Sequence, residues 1–326
     1  MDLDLRVVRY FVAVAEELHF GRAAARLYLS QPALSKQIRK LEDQLGAPLF
    51  VRDSRHVVLT ARGQRFLDDA RDLLATAEKM QRPARSGVVR VAHVYELTTT
   101  RALVDAYTRR HPEVELLEYA MHSIAQLNAL LHHQLDVAII RLTPRMLLEH
   151  PRGWDHCLVR LEPMWLIGHP GDEDKEGASL YERPLEVFGD PPESAGYNAH
   201  GLYLTAFERE FGITMRWMGT PGAFSHCLAH VKRATDAARF LEFDDYARRY
   251  AAAGLPVYRP EEAQPYYPWS LAWRTGEGSS AAAELVRAAR DLARGWGWLE
   301  LSPNAAPAWL PADDPVYAEA LGPVGP

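Results

Sequence analysis

The chain has 326 residues, 48% of them hydrophobic, so it can form two or three folding units with sizeable cores. It has two cysteines and no apolar run of the roughly 18 residues that a membrane helix needs, which argues against disulfide-rich and membrane-spanning proteins. The net charge is −6, but residues 1–87 hold 15 Lys and Arg against 11 Asp and Glu (+4), while the remainder holds 22 against 32 (−10). A basic region joined to an acidic body is typical of a chain that meets a polyanion at one end. The acidic start lacks the basic flank of a signal peptide, and we expect a cytoplasmic protein.

Two helices are predicted before residue 30. Apolar residues recur at helical spacing in the first of them and predict one buried face, made of Val7, Phe11, Val14 and Leu18. A short helix at 21–28 follows, and its three consecutive alanines let another helix approach closely. A tight connection at Leu29-Ser30 leads to the next helix. This arrangement predicts a helix-turn-helix.

The third helix has well-marked ends. Ser30 is a capping residue, Pro32 lies in the first turn, and Gly46 ends the helix. Its predicted buried stripe repeats at i, i+4, i+7 and i+11, at Leu34, Ile38, Leu41 and Leu45. Its other face is polar and basic, with Ser35, Lys36, Arg39 and Lys40. A short helix with such a face suits the major groove of DNA.

A hairpin and a long helix complete the N-terminal region. The strand-like runs 49–51 and 57–59 bracket residues 52–55 and predict a small wing. A helix from Thr60 ends at a hinge over residues 82–87. It carries a seam narrow enough to pair with a second copy of the chain, formed by Phe66, Ala70, Leu73, Ala77 and Met80.

From residue 88 onward, strand-like and helix-like segments alternate. This alternation predicts βαβ units and a mainly parallel sheet. The predicted segments are 88–94, 98–110, 114–119, 124–133, 137–140, 158–168, 201–211, 213–218, 225–233, 255–258, 270–273 and 280–294. Residues 302–326 are rich in Pro and Ala and predict a loosely ordered tail.

One dense set of residues in the first 63 positions carries a family resemblance. It consists of His19-Phe20-Gly21-Arg22-Ala23-Ala24, Leu27, Ser30-Gln31-Pro32-Ala33-Leu34-Ser35, Ile38, Leu41-Glu42, Leu45-Gly46, Leu49-Phe50, Arg52, Leu59-Thr60 and Gly63. With this spacing the chain resembles the LysR-type transcriptional regulator family. The resemblance implies a winged helix-turn-helix that binds double-stranded DNA at a pseudo-palindromic operator.

The resemblance also implies which residues contact DNA. They are Arg22, Ser30, Gln31, Pro32, Ala33, Ser35, Lys36 and Arg39, with Arg52 and Arg55 on the wing. The chemistry of these side chains suits the assignment: Gln31 can donate to and accept from a base edge, and short Ser35 lets the helix seat deeply. The arginines and lysine can neutralise phosphates.

For the rest of the chain, the resemblance implies a periplasmic-binding-protein-like effector domain of two α/β lobes with a small molecule between them. Open α/β sheets bind ligands beyond the carboxyl ends of their strands, which selects Val94, Tyr95, Glu96, His122, Ser123 and Arg141. By resemblance, Ser123 and Arg141 contact the ligand, and Thr220 and Phe224 join them. Arg141 and Ser123 together could hold a carboxylate, whereas Glu96 favours a cation or a hydroxyl-rich ligand, so the effector's charge stays open. A surface salt bridge for Arg141 and a helix cap for Ser123 are the structural alternatives.

Three alternative functions stay open beside this one. His226 and His230 lie i, i+4 beside Cys227, which leaves a metal-responsive regulator open, and Cys157 with Cys227 leaves a thiol switch open. A regulator with no small-molecule effector is a third alternative. The chain lacks G-x-S-x-G, G-x-x-x-x-G-K-[ST] and H-E-x-x-H, so we expect neither an enzyme nor a bound cofactor or metal.

The sequence thus predicts an α/β protein with four parts. These are a winged helix-turn-helix at 1–60, a linker helix for dimerisation with its hinge at 61–87, a two-lobed effector domain at 88–301 and the tail at 302–326. Its expected partners are double-stranded DNA, a small molecule, further copies of the chain and RNA polymerase. The family resemblance favours a tetramer built from dimers, although the sequence does not separate dimer from tetramer.

Overall fold

The chain divides into two compact units in a computed structural model. The structure describes residues 3–27, 29–52, 57–81, 87–94, 98–172, 176–191, 198–220, 223–234, 238–276, 280–302 and 306–322. The first unit comprises residues 1–85 with 132–134, and the second comprises 86–131 and 135–326. Within the described ranges, no helix combines the length and apolar composition needed to cross a membrane.

The first unit is a helical domain with a two-stranded hairpin. In chain order it contains α1 (Leu5–Glu17), α2 (Phe20–Arg26), α3 (Gln31–Leu45), β1 (Phe50–Arg52), β2 (Val57–Leu59) and α4 (Ala61–Gln81). Helix α1 packs against the other three helices. Apolar side chains from all of these elements form one buried cluster, including Phe11, Val14, Leu34, Ile38, Leu41, Leu49 and Leu67.

The predicted ends of α3 are confirmed, and one predicted core residue of α1 is wrong. Helix α3 begins after Ser30, and Gly46 ends it with a left-handed φ of 67°. Leu18, predicted on the buried face of α1, adopts a left-handed φ of 45° and ends that helix. Its side chain is 47% exposed, because the chain has already left the helical path that would point it inward.

The second unit is an α/β domain. In chain order it contains β3 (Val88–His93), α5 (Thr98–Arg110), β4 (Glu115–Ala120), α6 (Ser123–Leu131), β5 (Val137–Ile140), α7 (Pro144–Glu149), β6 (Trp154–Ile167), β7 (Gly177–Ala178), β8 (Leu185–Val187), α8 (Ala199–Phe211), β9 (Met215–Trp217), α9 (Phe224–Arg233), β10 (Arg239–Phe243), α10 (Asp244–Ala252), β11 (Val257–Pro260), β12 (Gln264–Arg274), α11 (Ser280–Gly295), β13 (Ala308–Trp309) and α12 (Tyr317–Leu321).

Two long strands connect the two lobes of this domain. The main strand order is β4-β3-β5-β12-β6-β10-β8-β9. Strands β4, β3 and β5 are parallel in one lobe, and β10, β8 and β9 are parallel in the other. Strands β12 and β6 pair with each other and run antiparallel to β5 and β10, respectively. The sheet is therefore mixed, which corrects the predicted mainly parallel arrangement.

The prediction of a loosely ordered C-terminal tail is wrong for residues 306–322. Strand β13 pairs in parallel with the start of β12, with Gln264 opposite Ala308. Leu310 and Val316 are each only 2% exposed. Because these apolar side chains are buried in the α/β core, the segment is ordered despite its Pro- and Ala-rich composition.

Candidate DNA-binding surface and effector site

Helices α2 and α3 form a tight helix-turn-helix. The His19 ring caps α2, because its Nδ1 accepts from the amides of Gly21 (3.0 Å) and Arg22 (3.2 Å). Ala23 and Ala24 are 0% and 2% exposed, and such small side chains let α3 lie close. The Leu29 amide then donates to the Ala24 carbonyl at 2.9 Å, which closes the turn. The local sequence therefore places the start of α3 at a defined position on the domain.

The outer face of α3 combines a capped N-terminus with exposed cations. Ser30 Oγ accepts from the Ala33 amide at 3.4 Å. Lys36 and Arg39 are exposed and make no ion pair with any described residue. The first-turn residues Gln31, Pro32 and Ala33 are also exposed, and Ser35 is half-buried. The opposite face is fully used, since Leu34, Ile38 and Leu41 are at most 1% exposed. The outer face of α3 can therefore meet phosphates and base edges without breaking internal contacts.

Arg22 differs from the other predicted DNA contacts. Its Nε donates to Glu17 Oε2 at 3.2 Å, and its Nη2 donates to the Glu17 carbonyl. The guanidinium thus holds the end of α1 against α2 while remaining largely exposed. The Arg22 guanidinium would therefore have to bind DNA while it keeps its hydrogen bonds to Glu17.

The wing is tied to α3 by a residue that was not assigned a role. Glu42 Oε1 accepts from the amides of Leu49 (2.9 Å) and Phe50 (3.1 Å). Phe50 pairs with Leu59 in the antiparallel hairpin. Glu42 belongs to the motif that carries the family resemblance, which is the signal that could have identified it. The backbone of Arg52 belongs to β1, but its side chain is not among the parts that the structure describes. Arg55 lies outside the described residues.

The predicted dimer seam on α4 is partly used within the chain. Phe66 packs edge-on against Phe11 with ring centroids 5.0 Å apart, and Ala70 is 2% exposed in the same core. Ala77 is also buried, at 9% exposure. Leu73 is 37% exposed, and the side chain of Met80 lies outside the description. Of the seam residues with described side chains, Leu73 is therefore the one best placed to meet a second copy.

Ser123 and Arg141 come together in the α/β domain, as predicted. Ser123 begins α6, and its Oγ accepts from the Arg141 amide at 3.1 Å. Val94 is half-buried after β3 and His122 is exposed, whereas Tyr95 and Glu96 lie outside the described residues. Ser123 and Arg141 therefore lie side by side where β5 ends and α6 begins.

Arg141 is a buried cation rather than a surface one. Its Nη1 lies 2.6 Å from Asp314 Oδ2, and the two side chains are 5% and 0% exposed. The guanidinium lies 5.0 Å from the ring centre of Tyr203 and 5.2 Å from that of Tyr267. Burial and the Arg141 charge lower the pKa of nearby His200 to about 4, so this imidazole is neutral at physiological pH.

Thr220 and Phe224 have different neighbours from those of Ser123 and Arg141. Thr220 Oγ1 donates to Asp190 Oδ2 at 2.9 Å. The Phe224 ring is stacked on Tyr246 at 5.8 Å, and the Arg249 guanidinium lies 3.9 Å from its centre. These contacts belong to the lobe of β8, β9 and β10, while Arg141 and Ser123 belong to the lobe of β5.

A buried polar cluster between α5, β6 and α10 was missed. Asp245 at the start of α10 accepts from both the amide and the hydroxyl of Thr98, at 3.0 and 2.8 Å. Arg160 Nη1 donates to Thr99 Oγ1 at 2.6 Å and Nη2 lies 3.3 Å from Glu162 Oε1. Burial raises the pKa of Glu162, while Arg160 opposes that rise. The Asp244-Asp245 pair was the available signal, but α10 itself was not predicted.

The residues considered for metal binding and for a thiol switch, Cys157, His226, Cys227 and His230, all lie within the described ranges. Within the described ranges, no group of three or more His, Cys, Asp or Glu is arranged to hold a metal ion. His230 Nε2 lies 3.3 Å from Glu186 Oε2. Burial raises the pKa of the Cys157 thiol to about 11, which leaves little reactive thiolate at neutral pH.

Comparisons with known proteins agree with the N-terminal geometry. Residues 5–64 match the family model described as bacterial regulatory helix-turn-helix protein, lysR family. The uncharacterised HTH-type transcriptional regulator YnfL of Escherichia coli K12 is 40% identical over 169 residues, 49% of this chain and 55% of YnfL. XapR of the same organism is 40% identical over 162 residues, 46% of this chain and 53% of XapR. The chain thus spans about half the length of these curated relatives, which are named as transcriptional regulators and not as enzymes.

The fold agrees over a longer stretch. Full-length CbnR, a LysR family regulator solved in complex with its target DNA, superposes with a TM-score of 0.60. The match covers 89% of this chain and 99% of CbnR at 23% sequence identity. The likeness therefore confirms the predicted architecture, a helix-turn-helix region followed by a two-lobed α/β domain.

Proposed function

We propose that the chain, whose residues 5–64 match the family model of lysR-type bacterial regulatory helix-turn-helix proteins, is a sequence-specific transcription regulator of that family and reads double-stranded DNA with α3. The observation that carries this proposal is the outer face of α3, where exposed Lys36 and Arg39 have no ion pair among the described residues. Because Lys36 and Arg39 have no ion pair among the described residues, their charges can neutralise DNA phosphates.

The roles of the α3 residues follow from their positions. Gln31 lies in the first turn, where its amide can both donate to and accept from a base edge in the major groove. Lys36 and Arg39 lie further along the same exposed face and would fix the helix on the backbone. Arg52 and Arg55 on the wing would add phosphate contacts beside the groove. Ser30 would position α3 for these contacts through the helix cap, and Arg22 would hold α2 against the end of α1 through its Glu17 pair.

Arg39→Ala tests this surface. We expect the variant to bind its DNA site about 5- to 150-fold more weakly, because a specific DNA contact of an arginine contributes roughly 1–3 kcal/mol and 1.4 kcal/mol is tenfold in affinity. Fluorescence anisotropy with a labelled duplex at fixed salt measures the change. Arg145→Ala is the matched control, since Arg145 is an exposed arginine on α7 that is paired with Glu149. Equal DNA affinities of Arg39→Ala and Arg145→Ala would reject the α3 surface.

We extend the proposal to a homo-oligomer that pairs through α4. Leu73 supports it, as a leucine 37% exposed on a 21-residue helix. Paired heads suit a pseudo-palindromic operator, because two-fold symmetric proteins bind two half-sites about one helical turn apart. A tetramer of two such dimers is the assembly we favour.

Leu73→Glu is expected to shift the oligomer toward smaller species. Two glutamates facing each other would remove apolar burial and add like charge, which raises the dissociation constant by an estimated 10-fold or more. Sedimentation velocity over a concentration series measures the shift. Leu148→Glu is the control, because Leu148 is 81% exposed on α7, outside the seam. An unchanged assembly in Leu73→Glu would place the interface elsewhere.

The α/β domain is proposed to bind a small-molecule effector at the Ser123–Arg141 centre. The effector would change the spacing of the DNA-binding heads by favouring one assembly state, which requires different affinities for the two states. In this proposal residues 1–60 bind DNA, 61–87 link and dimerise, and 88–301 sense the effector. RNA polymerase is the further partner, and the cytoplasm is the proposed location.

A further inference from the structure

The C-terminal segment, residues 306–322, is anchored in the α/β core next to Arg141. The Gln264 amide donates to the Pro307 carbonyl at 2.9 Å, and β13 continues the pairing with β12. The Trp309 ring packs edge-on against Tyr203 and Phe207, with centroids 5.4 and 4.9 Å away. Since Tyr203 is also stacked against the Arg141 guanidinium, the segment reaches the predicted effector centre.

The carboxylate of Asp314 lies against Arg141. Its Oδ1 accepts from the Val316 amide at 3.1 Å, which fixes the turn before α12. Its Oδ2 lies 2.6 Å from Arg141 Nη1. The side chain of Asp314 is fully buried, and that of Arg141 is 5% exposed. The chain therefore places its own carboxylate against the cation that was predicted to bind an effector.

The ion pair with Asp314 leaves part of the hydrogen-bonding capacity of the Arg141 guanidinium unused. Arg141 Nη1 also donates to the Leu142 carbonyl at 3.1 Å, while the buried Nε has no hydrogen-bond partner in the described part of the chain. Asp314 Oδ2 approaches closely, but without the direction of a good hydrogen bond. An untethered carboxylate could take two parallel bonds from one arginine, which is the geometry that this pairing favours. In Asp314, Oδ1 accepts from the Val316 amide instead, and only Oδ2 approaches the guanidinium.

We propose that Arg141 is the centre of a carboxylate-binding site and that Asp314 is a ligand carried by the chain itself, which a small aliphatic carboxylate replaces. The inference rests on the proposed function in treating Arg141 as an effector residue. It deepens that function by naming the ligand class and by assigning residues 306–322 as the competing internal ligand. An ion pair that only fastens the C-terminus would hold the same two residues together but would not accept a free carboxylate.

Chemical rescue of the full chain separates these two roles. Asp314→Ala is expected to lower the thermal unfolding midpoint by about 5–10 °C, because it leaves a buried guanidinium uncompensated. Sodium acetate at about 0.1 M should then raise the midpoint by several degrees more than sodium chloride of equal ionic strength, since a ligand that binds the folded state stabilises it by mass action. Wild type and Asp313→Ala, which changes the exposed neighbouring aspartate, should show a smaller excess, because acetate must first displace Asp314 from Arg141.

Two further variants make the result decisive. Asp314→Ser keeps an oxygen that can accept from the Val316 amide, and it replaces Asp314→Ala if that variant does not unfold cooperatively. Adding Arg141→Gln to Asp314→Ser should abolish the excess acetate effect. Acetate that acts no more than chloride on both Asp314 variants, or no more than chloride on wild type, would overturn the proposal. The measurement contains no DNA, so its failure leaves the outcome at Arg39 untouched, and the reverse also holds.

Discussion

Gly63→Ala is expected to abolish stable folding of the DNA-binding unit. A Cβ at this position would overlap the backbone oxygen of Leu49 and would lie 3.0 Å from Leu59 Cδ2. The oxygen belongs to the backbone, so it cannot turn away as a flexible side chain could. The Gly63 amide also donates to Thr60 Oγ1 at 2.9 Å, and Thr60 Oγ1 donates to the Pro48 carbonyl at 2.9 Å. Relieving the clash would therefore shift both the start of α4 and the wing.

We expect the loss to exceed about 3 kcal/mol, at the upper end of overpacking effects in folded proteins. Denaturant titration followed by far-UV circular dichroism measures it, and DNA affinity should fall in parallel. Gly295→Ala is the matched control, because a Cβ there meets nothing within 4 Å. A Gly63→Ala variant as stable as Gly295→Ala would contradict the described packing of α4 on the wing.

Glu242→Gln is expected to flatten the dependence of stability on pH. Burial raises the pKa of Glu242 from its ordinary value of 4.5 to about 8, and the Tyr250 hydroxyl, 3.4 Å from its Oε1, only partly opposes this. The folded chain thus holds a proton that the unfolded chain releases between these two values. Stability from this group is present below pH 4.5 and is lost as pH rises toward 8. Between pH 5 and 8 the loss is on the order of 4 kcal/mol, since each pH unit contributes about 1.4 kcal/mol.

Thermal unfolding midpoints of wild type and variant, measured from pH 5 to 8, test this expectation. The wild-type midpoint should fall relative to that of Glu242→Gln by about 10 °C across the range. Glu210→Gln, at an exposed position on α8, serves as the control and should follow the wild type. Parallel profiles for wild type and Glu242→Gln would show that the buried carboxyl does not carry a proton at neutral pH.

The DNA-binding unit could be predicted in detail because its signals are local. The ends of α3 follow from the Ser30 cap and the Gly46 stop, which act within a few residues of themselves. The buried stripe of α3 follows from helical periodicity alone. Leu18 escaped this reasoning because periodicity does not show where a helix ends, and the chain turns to a left-handed conformation there.

The α/β domain was less predictable because its defining contacts join distant parts of the chain. Strand β12 contains Pro265 and Pro268, which weaken any strand signal, and it exists through pairing with β5 and β6. Helix α10 begins at two aspartates that are held by Thr98, Arg160 and Trp165. Composition alone marked residues 302–326 as a tail, although Leu310 and Val316 are buried in the core.

The candidate effector site divides in the same way. Ser123 and Arg141 were predicted because strand ends can be located from the sequence, and the structure brings them together. Asp314 was not predicted, because nothing in its local sequence indicates that it meets Arg141. The position of the candidate site therefore followed from the sequence. That Asp314 of the same chain lies against Arg141 could be seen only in the three-dimensional structure.

Selection from a pool of random DNA duplexes by the purified full chain tests the central claim most directly. We predict that successive rounds enrich one pseudo-palindromic sequence with two half-sites about one helical turn apart, and that Arg39→Ala under the same conditions does not enrich it. Failure of the wild-type chain to enrich any sequence, or equal enrichment by Arg39→Ala, would contradict the proposal that α3 reads DNA.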